Sequence, residues 1–363
     1  MDNFRNKKDS RNDNFHLVPN LAPDNNMKAT LSILVIACLT TYVVSQTCTY
    51  NIAPLSGFNN GSNVNLTGIT VFMTGGSRGI GRDTSLFLAG LGAKVYSCAR
   101  TMPWRLVNRQ QIIDAGIDYD YCDVAIPATL QVIAHRLWQQ GVKIDWLLSI
   151  AGIMFFGTPN DIAPLQHTAL LQINTQGFTT VWSSMMHLMN PAPITFLVDG
   201  VPVTKNATVS VVTSSTADFL SPFLSHYSGS KIDLDRNVQS VAWSNLRKPL
   251  RFNIVLPALT NTTILEKSLL PYDSECIDKV NSNYENTKNL MRTTGQPTSV
   301  VYQAFLHNFV TSNTGTIVRV SASTASGYAQ YVFLSEINAK NQPDTVTKTY
   351  QTLFSPSNAD PVC

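Results

Sequence analysis

Thr74-Gly75-Gly76-Ser77-Arg78-Gly79-Ile80-Gly81 follows the apolar, β-branched run Ile69-Thr70-Val71-Phe72-Met73 and precedes an apolar-periodic segment from about Asp83 to Leu91. Strand, glycine-rich turn and helix in that order are the setting in which such glycines bind a dinucleotide. One glycine lets the chain turn sharply, one lets the backbone approach a pyrophosphate, and one lets the helix pack close to the strand. The helix N-terminus adds free N–H groups and a positive dipole end for the phosphates. Taken alone, the turn would suit a methyltransferase or a nucleotide sensor equally well.

Outward from this turn, strand and helix patterns alternate. Strands are expected at 70–73, 94–98, 118–122, 146–150, 208–213, 251–255 and 315–320, and helices at 128–140, 165–188, 226–246 and 298–308. That alternation predicts an α/β fold, a doubly wound parallel sheet of Rossmann type with right-handed crossovers, in a single domain over 67–335. In Ile194–Val203, Asp199-Gly200 sits between two apolar runs and predicts a two-residue hairpin. Pro202 confines that hairpin to an edge. The stretch 336–363 reads as a polar tail.

Composition narrows the class. The chain has 363 residues, 44% hydrophobic and 13% charged, with a net charge of +3. That supports a full core and gives no basic surface for nucleic acid. The six cysteines, Cys38, Cys48, Cys98, Cys122, Cys276 and Cys363, form no CxxC, so no metal site is expected. Cys98 and Cys122 read as small buried thiols, and Cys48 and Cys363 as a candidate pair in an oxidising compartment.

Residues 1–28 are polar and read as disordered, while 29–45 carry no charge and read as a signal anchor or a signal peptide. Positive residues precede the apolar segment and none follows until Arg78, which puts the domain on the lumenal side. The expected location is the endoplasmic reticulum membrane or lumen, or outside the cell, with a membrane partner if the segment is uncleaved. Asn60, Asn65, Asn206 and Asn261 head glycosylation triplets; Asn261 is expected to be shielded and unmodified.

The chemistry is concentrated in Tyr227-Ser228-Gly229-Ser230-Lys231. Four residues apart on a helix, Tyr227 and Lys231 share one face. A free phenol has a pKa of about 10. An ammonium one turn away favours the phenolate and brings the group toward a working range for proton transfer. Ser214 and Ser215 end an apolar strand, at the carboxyl edge where parallel sheets bind ligands.

Over residues 67 to 322 the chain resembles the short-chain dehydrogenase/reductase family. The family's TGxxxGxG turn matches Thr74, Gly75, Gly79 and Gly81, and Ser77, Arg78 and Ile80 complete the loop. Its acidic adenine contact matches Asp123, and its NNAG motif matches Ser149-Ile150-Ala151-Gly152 with both asparagines missing. Its helix asparagine matches Asn174, its YxxxK pair Tyr227 and Lys231, and its Pro-Gly turn Pro257-Ala258, followed by Thr262.

The resemblance implies a catalytic set of Tyr227 as acid/base, Lys231 lowering its pKa and binding the nicotinamide ribose, Asn174 holding a water, and Ser215, ahead of Ser214, as the substrate-binding hydroxyl. Thr74, Gly75, Ser77, Arg78, Gly79, Ile80, Gly81, Arg100, Asp123, Ala151, Gly152, Tyr227, Lys231, Pro257 and Thr262 then line the cofactor. No acid ends the second strand, and Arg78 and Arg100 suit a 2′-phosphate, so the expected cofactor is NADP. The implied activity is interconversion of a small-molecule carbonyl and its alcohol, under a lid over 263–294. The alternative is a dinucleotide-binding module of the same fold with lost or reduced turnover. The Trp182 and Met185-Met186 cluster reads as core or as a homodimer face.

Overall fold

The computed structural model describes residues 52–54, 63–106, 109–160, 162–217, 223–245, 247–265, 277–311, 316–322 and 329–335. The polar N-terminus, the apolar segment 29–45, Asn60 and the tail 336–363 lie outside them, as do Cys38, Cys48, Cys276 and Cys363.

In chain order the elements begin with β1 (Ile52–Pro54), β2 (Val64–Asn65), β3 (Thr70–Thr74), α1 (Gly79–Gly90), β4 (Lys94–Ala99), α2 (Arg109–Asp114), β5 (Asp118–Tyr121), α3 (Pro127–Gln139) and β6 (Trp146–Ser149). There follow α4 (Pro164–Leu170), α5 (Gly177–Met185), β7 (Ile194–Val198), β8 (Val201–Lys205), β9 (Ala207–Val212) and α6 (Ser225–Ser244). The described chain closes with β10 (Leu250–Pro257), α7 (Ile277–Thr294), α8 (Thr298–Thr311), β11 (Thr316–Ala322) and β12 (Ala329–Ser335).

The main sheet runs β1-β12-β11-β10-β9-β6-β3-β4-β5. The seven strands from β11 to β5 pair in parallel; β12 and β1 close the far edge antiparallel. The order reverses between β3 and β6, and the crevice at the carboxyl ends there is where doubly wound sheets take ligands. Residues 52–54 and 329–335 add strands that the alternation did not predict, so the sheet takes in chain from before residue 67.

Successive side chains of each central strand go to opposite faces. On β3 and β6, Phe72 and Leu147 join the cluster under α3, α5 and α6, with Leu130, Phe178 and Leu234. Val71, Met73, Trp146 and Leu148 join the cluster under α1 and α8, with Leu88, Phe305 and Phe309. Trp146 stacks on Phe309 at 4.2 Å between centroids, and its Nε1 donates to Ser210 Oγ at 3.0 Å, so its one polar atom is satisfied inside the core.

The predicted hairpin is β7–β8, with Val198 paired to Val201. Asp199 and Gly200 both have positive φ, 52° and 75°, the backbone of a two-residue turn that matches strand twist. The hairpin joins β2 in a separate three-stranded sheet, and Pro202 lies on its edge strand β8.

His307, on α8, is pushed down to about 4 from 6.5 by burial. A depressed folded value means stability is complete above pH 6.5 and is lost as pH falls toward 4, because the unfolded chain takes up the proton first. The loss is on the order of 3 kcal/mol. Urea unfolding at pH 7 and pH 4.5 should show it, and His307→Gln should flatten it; an equal slope in both proteins refutes the assignment.

Candidate active site

The glycine-rich turn is built by close backbone contacts. Gly75 has φ +82°, and a Cβ there would lie 2.9 Å from the Ala151 backbone nitrogen. The amides of Gly75 and Gly76 both donate to the Cys98 carbonyl, at 2.8 and 3.3 Å. A Cβ on Gly81 would collide with the Gly75 carbonyl, so the first turn of α1 rests directly on the loop. Gly79 opens α1 within contact range of the Thr262 side chain, which brings the segment after β10 to the phosphate loop. Thr74 Oγ1 accepts from the Ile150 and Ala151 amides at 3.3 and 3.4 Å. The threonine thereby braces the strand ends where the family's two asparagines are missing.

Asn174 sits in a π turn, Leu171–Gln176, that interrupts the single helix expected over 165–188. A π turn of this kind re-aims a side chain within an otherwise helical segment. Asn174 Oδ1 accepts from the Ile153 amide and its Nδ2 donates to the Ile153 carbonyl, both at 2.9 Å. The same Nδ2 donates to Ser230 Oγ at 3.0 Å, and Ser230 Oγ donates to the Tyr227 carbonyl at 2.7 Å. Thr175 Oγ1 adds a bond to the Ser230 carbonyl. Ser230 was not singled out from the sequence. Its place inside the Tyr-to-Lys spacing, on the helix face that meets Asn174, was the available signal.

Lys231 is 3% exposed, and its Nζ donates to the Val212 carbonyl at 3.2 Å. It lies 5.8 Å from the Tyr227 ring centroid. Burial pushes its pKa down to about 8, opposed by the charge of Asp235 one helical turn later. A Cβ on Gly152 would stand 3.3 Å from Asn174 Oδ1 and 3.5 Å from Lys231 Nζ, so the backbone there lies close against both buried polar groups. Burial pushes the Tyr227 phenol up to about 12, opposed by a hydrogen bond with Ser214.

Ser214 is the hydroxyl whose hydrogen bonding opposes the upward push on the Tyr227 phenol. β9 ends at Val212, and Ser215 opens a 3-10 turn, Ser215–Ala217. Ser214 Oγ also accepts from the Thr216 amide and hydroxyl at 3.2 and 2.9 Å. Ser215, the hydroxyl expected at the tyrosine, is buried in that same turn.

The remaining expected residues divide between the two halves of the crevice. Asp123 follows β5, and its carboxylate accepts from the Ala125 amide at 2.9 Å. Pro257 ends β10 beside β11. Ser77 lies near the Tyr119 phenol, which donates to the Thr101 carbonyl at 2.9 Å, and Ile80 packs partly buried against the core. Burial, and then the nearby Arg100 guanidinium, hold the Arg78 pKa below its usual value. Cys98 and Cys122 are joined in a disulfide, which corrects their reading as separate thiols.

Tyr227 belongs to an apolar cluster with Met154, Phe156, Leu265, Tyr284 and Met291. Tyr284 and Met291 come from α7, within the expected lid, and Tyr284 OH donates to the Leu265 carbonyl at 2.7 Å. Asn261 Nδ2 reaches the Arg292 carbonyl at 3.5 Å, on an exposed side of the segment after β10.

A sequence model of the short chain dehydrogenase family matches residues 69–272, more than half of the chain, and the chain belongs to that family. Versicolorin reductase 1 of Aspergillus parasiticus is 29% identical over 207 residues, 55% of this chain and 72% of that protein. A short chain dehydrogenase from Burkholderia cenocepacia in complex with NADP superposes at a TM-score of 0.55 and 20% identity, covering 70% of this chain and 97% of that one. A short chain dehydrogenase/reductase from Burkholderia phymatum in complex with NAD gives 0.56 at 15%, over 67% and 86%. The protein is thus an oxidoreductase of this family, and its solved neighbours carry either dinucleotide.

Proposed function

We propose that this chain interconverts a small-molecule carbonyl and its alcohol, with NADP(H) as the dinucleotide. The observation that carries the reading is the meeting of Tyr227, Lys231, Ser214 and Asn174 with the glycine-rich turn at one carboxyl edge of the sheet. The site fits a dinucleotide. The backbone is bare at Gly75 and Gly152, and α1 begins directly behind the loop. When bound, the nicotinamide supplies the hydride. Tyr227 gives its phenolic proton to the carbonyl oxygen as the alcohol forms, and burial keeps that phenol protonated near neutral pH. Ser214 holds the same oxygen by a second hydrogen bond. Lys231 sets a positive charge beside the phenol, and Asn174 fixes the backbone at Ile153 and, through Ser230, the tyrosine's own turn.

A panel of ketones, aldehydes and alcohols followed by NADPH absorbance tests the activity. Turnover of no member, with NADPH still bound, would leave a binding module instead.

The choice of NADP rests on Arg78 and the nearby Arg100, with no acid ending β4. Arg100→Ala should weaken NADPH binding about tenfold and leave NADH binding unchanged, since a charge-assisted contact to the 2′-phosphate is lost. Equal losses for both would refute NADP.

The same reading keeps the domain on the lumenal or extracellular side. Support comes from the uncharged segment 29–45 and from the disulfide, since such bonds persist in oxidising compartments. No helix among the described residues is long and apolar enough to cross a membrane, and 29–45 lies outside them.

A further inference from the structure

β5 is the last strand of the main sheet, and its sequence is Asp118-Tyr119-Asp120-Tyr121. None of the four is buried. Tyr119 packs against the core, but an edge strand of four half-exposed residues gains less from it than its buried neighbours do. Arg136 of α3 pairs with Asp118 at 2.9 Å and with Asp120, but these groups are over a third exposed, and such pairs hold weakly. Yet this strand delivers Asp123, the residue expected at the adenine.

Immediately beyond β5, Cys122 is 2% exposed and is bonded through sulfur to Cys98 of β4, which is fully buried. Their Cα atoms are 5.5 Å apart across 24 residues of sequence. The Cys122 amide also donates to the Ala99 carbonyl at 3.0 Å. On the other side, the Cys98 carbonyl is the acceptor for both Gly75 and Gly76. Arg100 is two residues further along the chain. The covalent link therefore joins the end of β4, with Arg100, to the Asp123 segment after β5, and the phosphate loop is hydrogen-bonded to the same Cys98.

We infer that the Cys98–Cys122 disulfide positions the adenosine half of the dinucleotide site, setting the distance between the glycine-rich turn and Asp123. The inference rests on the dinucleotide reading above. Neither sulfur touches the reacting centre at Tyr227, so both cysteines are positioning residues. The nicotinamide half, held by Asn174, Lys231 and Gly152, is braced separately through Ile153 and Ser230.

The bond itself is read by peptide mapping of the unreduced full chain. Trypsin should release Val95–Arg100 linked to Gln110–Arg136; two separate, alkylatable peptides overturn the inference. Its role is read from binding. In Cys98→Ala/Cys122→Ala, the Kd for whichever of NADPH and NADH the unmodified chain binds should rise on the order of tenfold, because the adenosine contacts are misplaced. The KM for that dinucleotide should rise with it while kcat stays within about twofold, a split that separates ground-state positioning from catalysis. The fragment 5′-ADP should lose affinity in step, and nicotinamide mononucleotide should not. A bond that is merely structural would lower the melting temperature and move neither Kd nor KM, and that result overturns the inference.

A second measurement needs no variant. A dithiol reductant gives two electrons and two protons to the S–S bond, leaving two protein thiols and its own cyclic disulfide. The reduced chain, with unchanged circular dichroism, should show the same loss of dinucleotide affinity; unchanged affinity, or a chain that unfolds when the bond opens, overturns the inference. An unmodified chain that binds neither dinucleotide refutes the dinucleotide reading itself, a result distinct from equal binding by both forms.

Discussion

Tyr227→Phe should lower kcat/KM about a thousandfold while dinucleotide binding stays within about twofold, the range expected when one positioned acid/base group is removed. The ring is 8% exposed and packs among Met154, Phe156, Leu265, Tyr284 and Met291, and phenylalanine fills that space equally well. What disappears is the phenolic hydroxyl and its transferable proton. Ser214 keeps its bonds from the Thr216 amide and hydroxyl, so it is not stranded without partners. The melting temperature should therefore change little. Steady-state rates with the best ketone of the panel, beside a fluorescence titration with NADPH, give both numbers. A variant within tenfold of the unmodified rate would remove Tyr227 from the role of proton donor.

Gly81→Ala should damage folding and binding together. The added methyl group would overlap the Gly75 carbonyl, and Gly75 cannot give way. Its amide is held by the Cys98 carbonyl at 2.8 Å, and its far side already abuts the Ala151 backbone. The first turn of α1 must lift off the loop instead, which costs on the order of 3 kcal/mol as overpacking of a closely packed backbone. It also carries the helix N-terminus away from the phosphates, and dinucleotide affinity should fall about a hundredfold. Gly90→Ala is the control on the same helix. Nothing lies within 4 Å of a Cβ there, and the change should be neutral or stabilising by up to about 1 kcal/mol. Urea titration and NADPH binding of the two variants separate the outcomes; similar values for both would refute the close packing of Gly81 on Gly75.

The parts of the site legible in the sequence are those fixed by neighbours along the chain. The glycine-rich turn needs bare backbone between a strand and a helix, and Thr74 to Gly81 announce it locally. Tyr227 and Lys231 share a face because a helix repeats every 3.6 residues. Asp199-Gly200 makes its hairpin through its own φ preferences. What was not legible depends on partners far away. How Ser214 and Ser215 are presented depends on where β9 stops and a 3-10 turn begins. The π turn at Asn174 exists where that side chain reaches the backbone of Ile153, 21 residues earlier. Cys98 and Cys122 look like ordinary core cysteines until β4 and β5 are set side by side. Likewise, β1 is three residues long and has no signal of its own; it is a strand because β12 is there to pair with it.

That short strand bears on how the domain is cut for study. Ile52, Ala53 and Pro54 cover Val332, Tyr331 and Gln330, so the outermost row of amides and carbonyls on β12 is already occupied from within the same molecule. A truncation starting at residue 67, where the glycine-rich half begins, would uncover that row. The freed strand Ala329–Ser335 has Val332, Phe333 and Leu334 in its middle, the composition that recruits another chain edge to edge. The residues that cover this part of β12 thus lie ahead of the stretch that resembles its family, and a fragment designed on that resemblance alone would discard them.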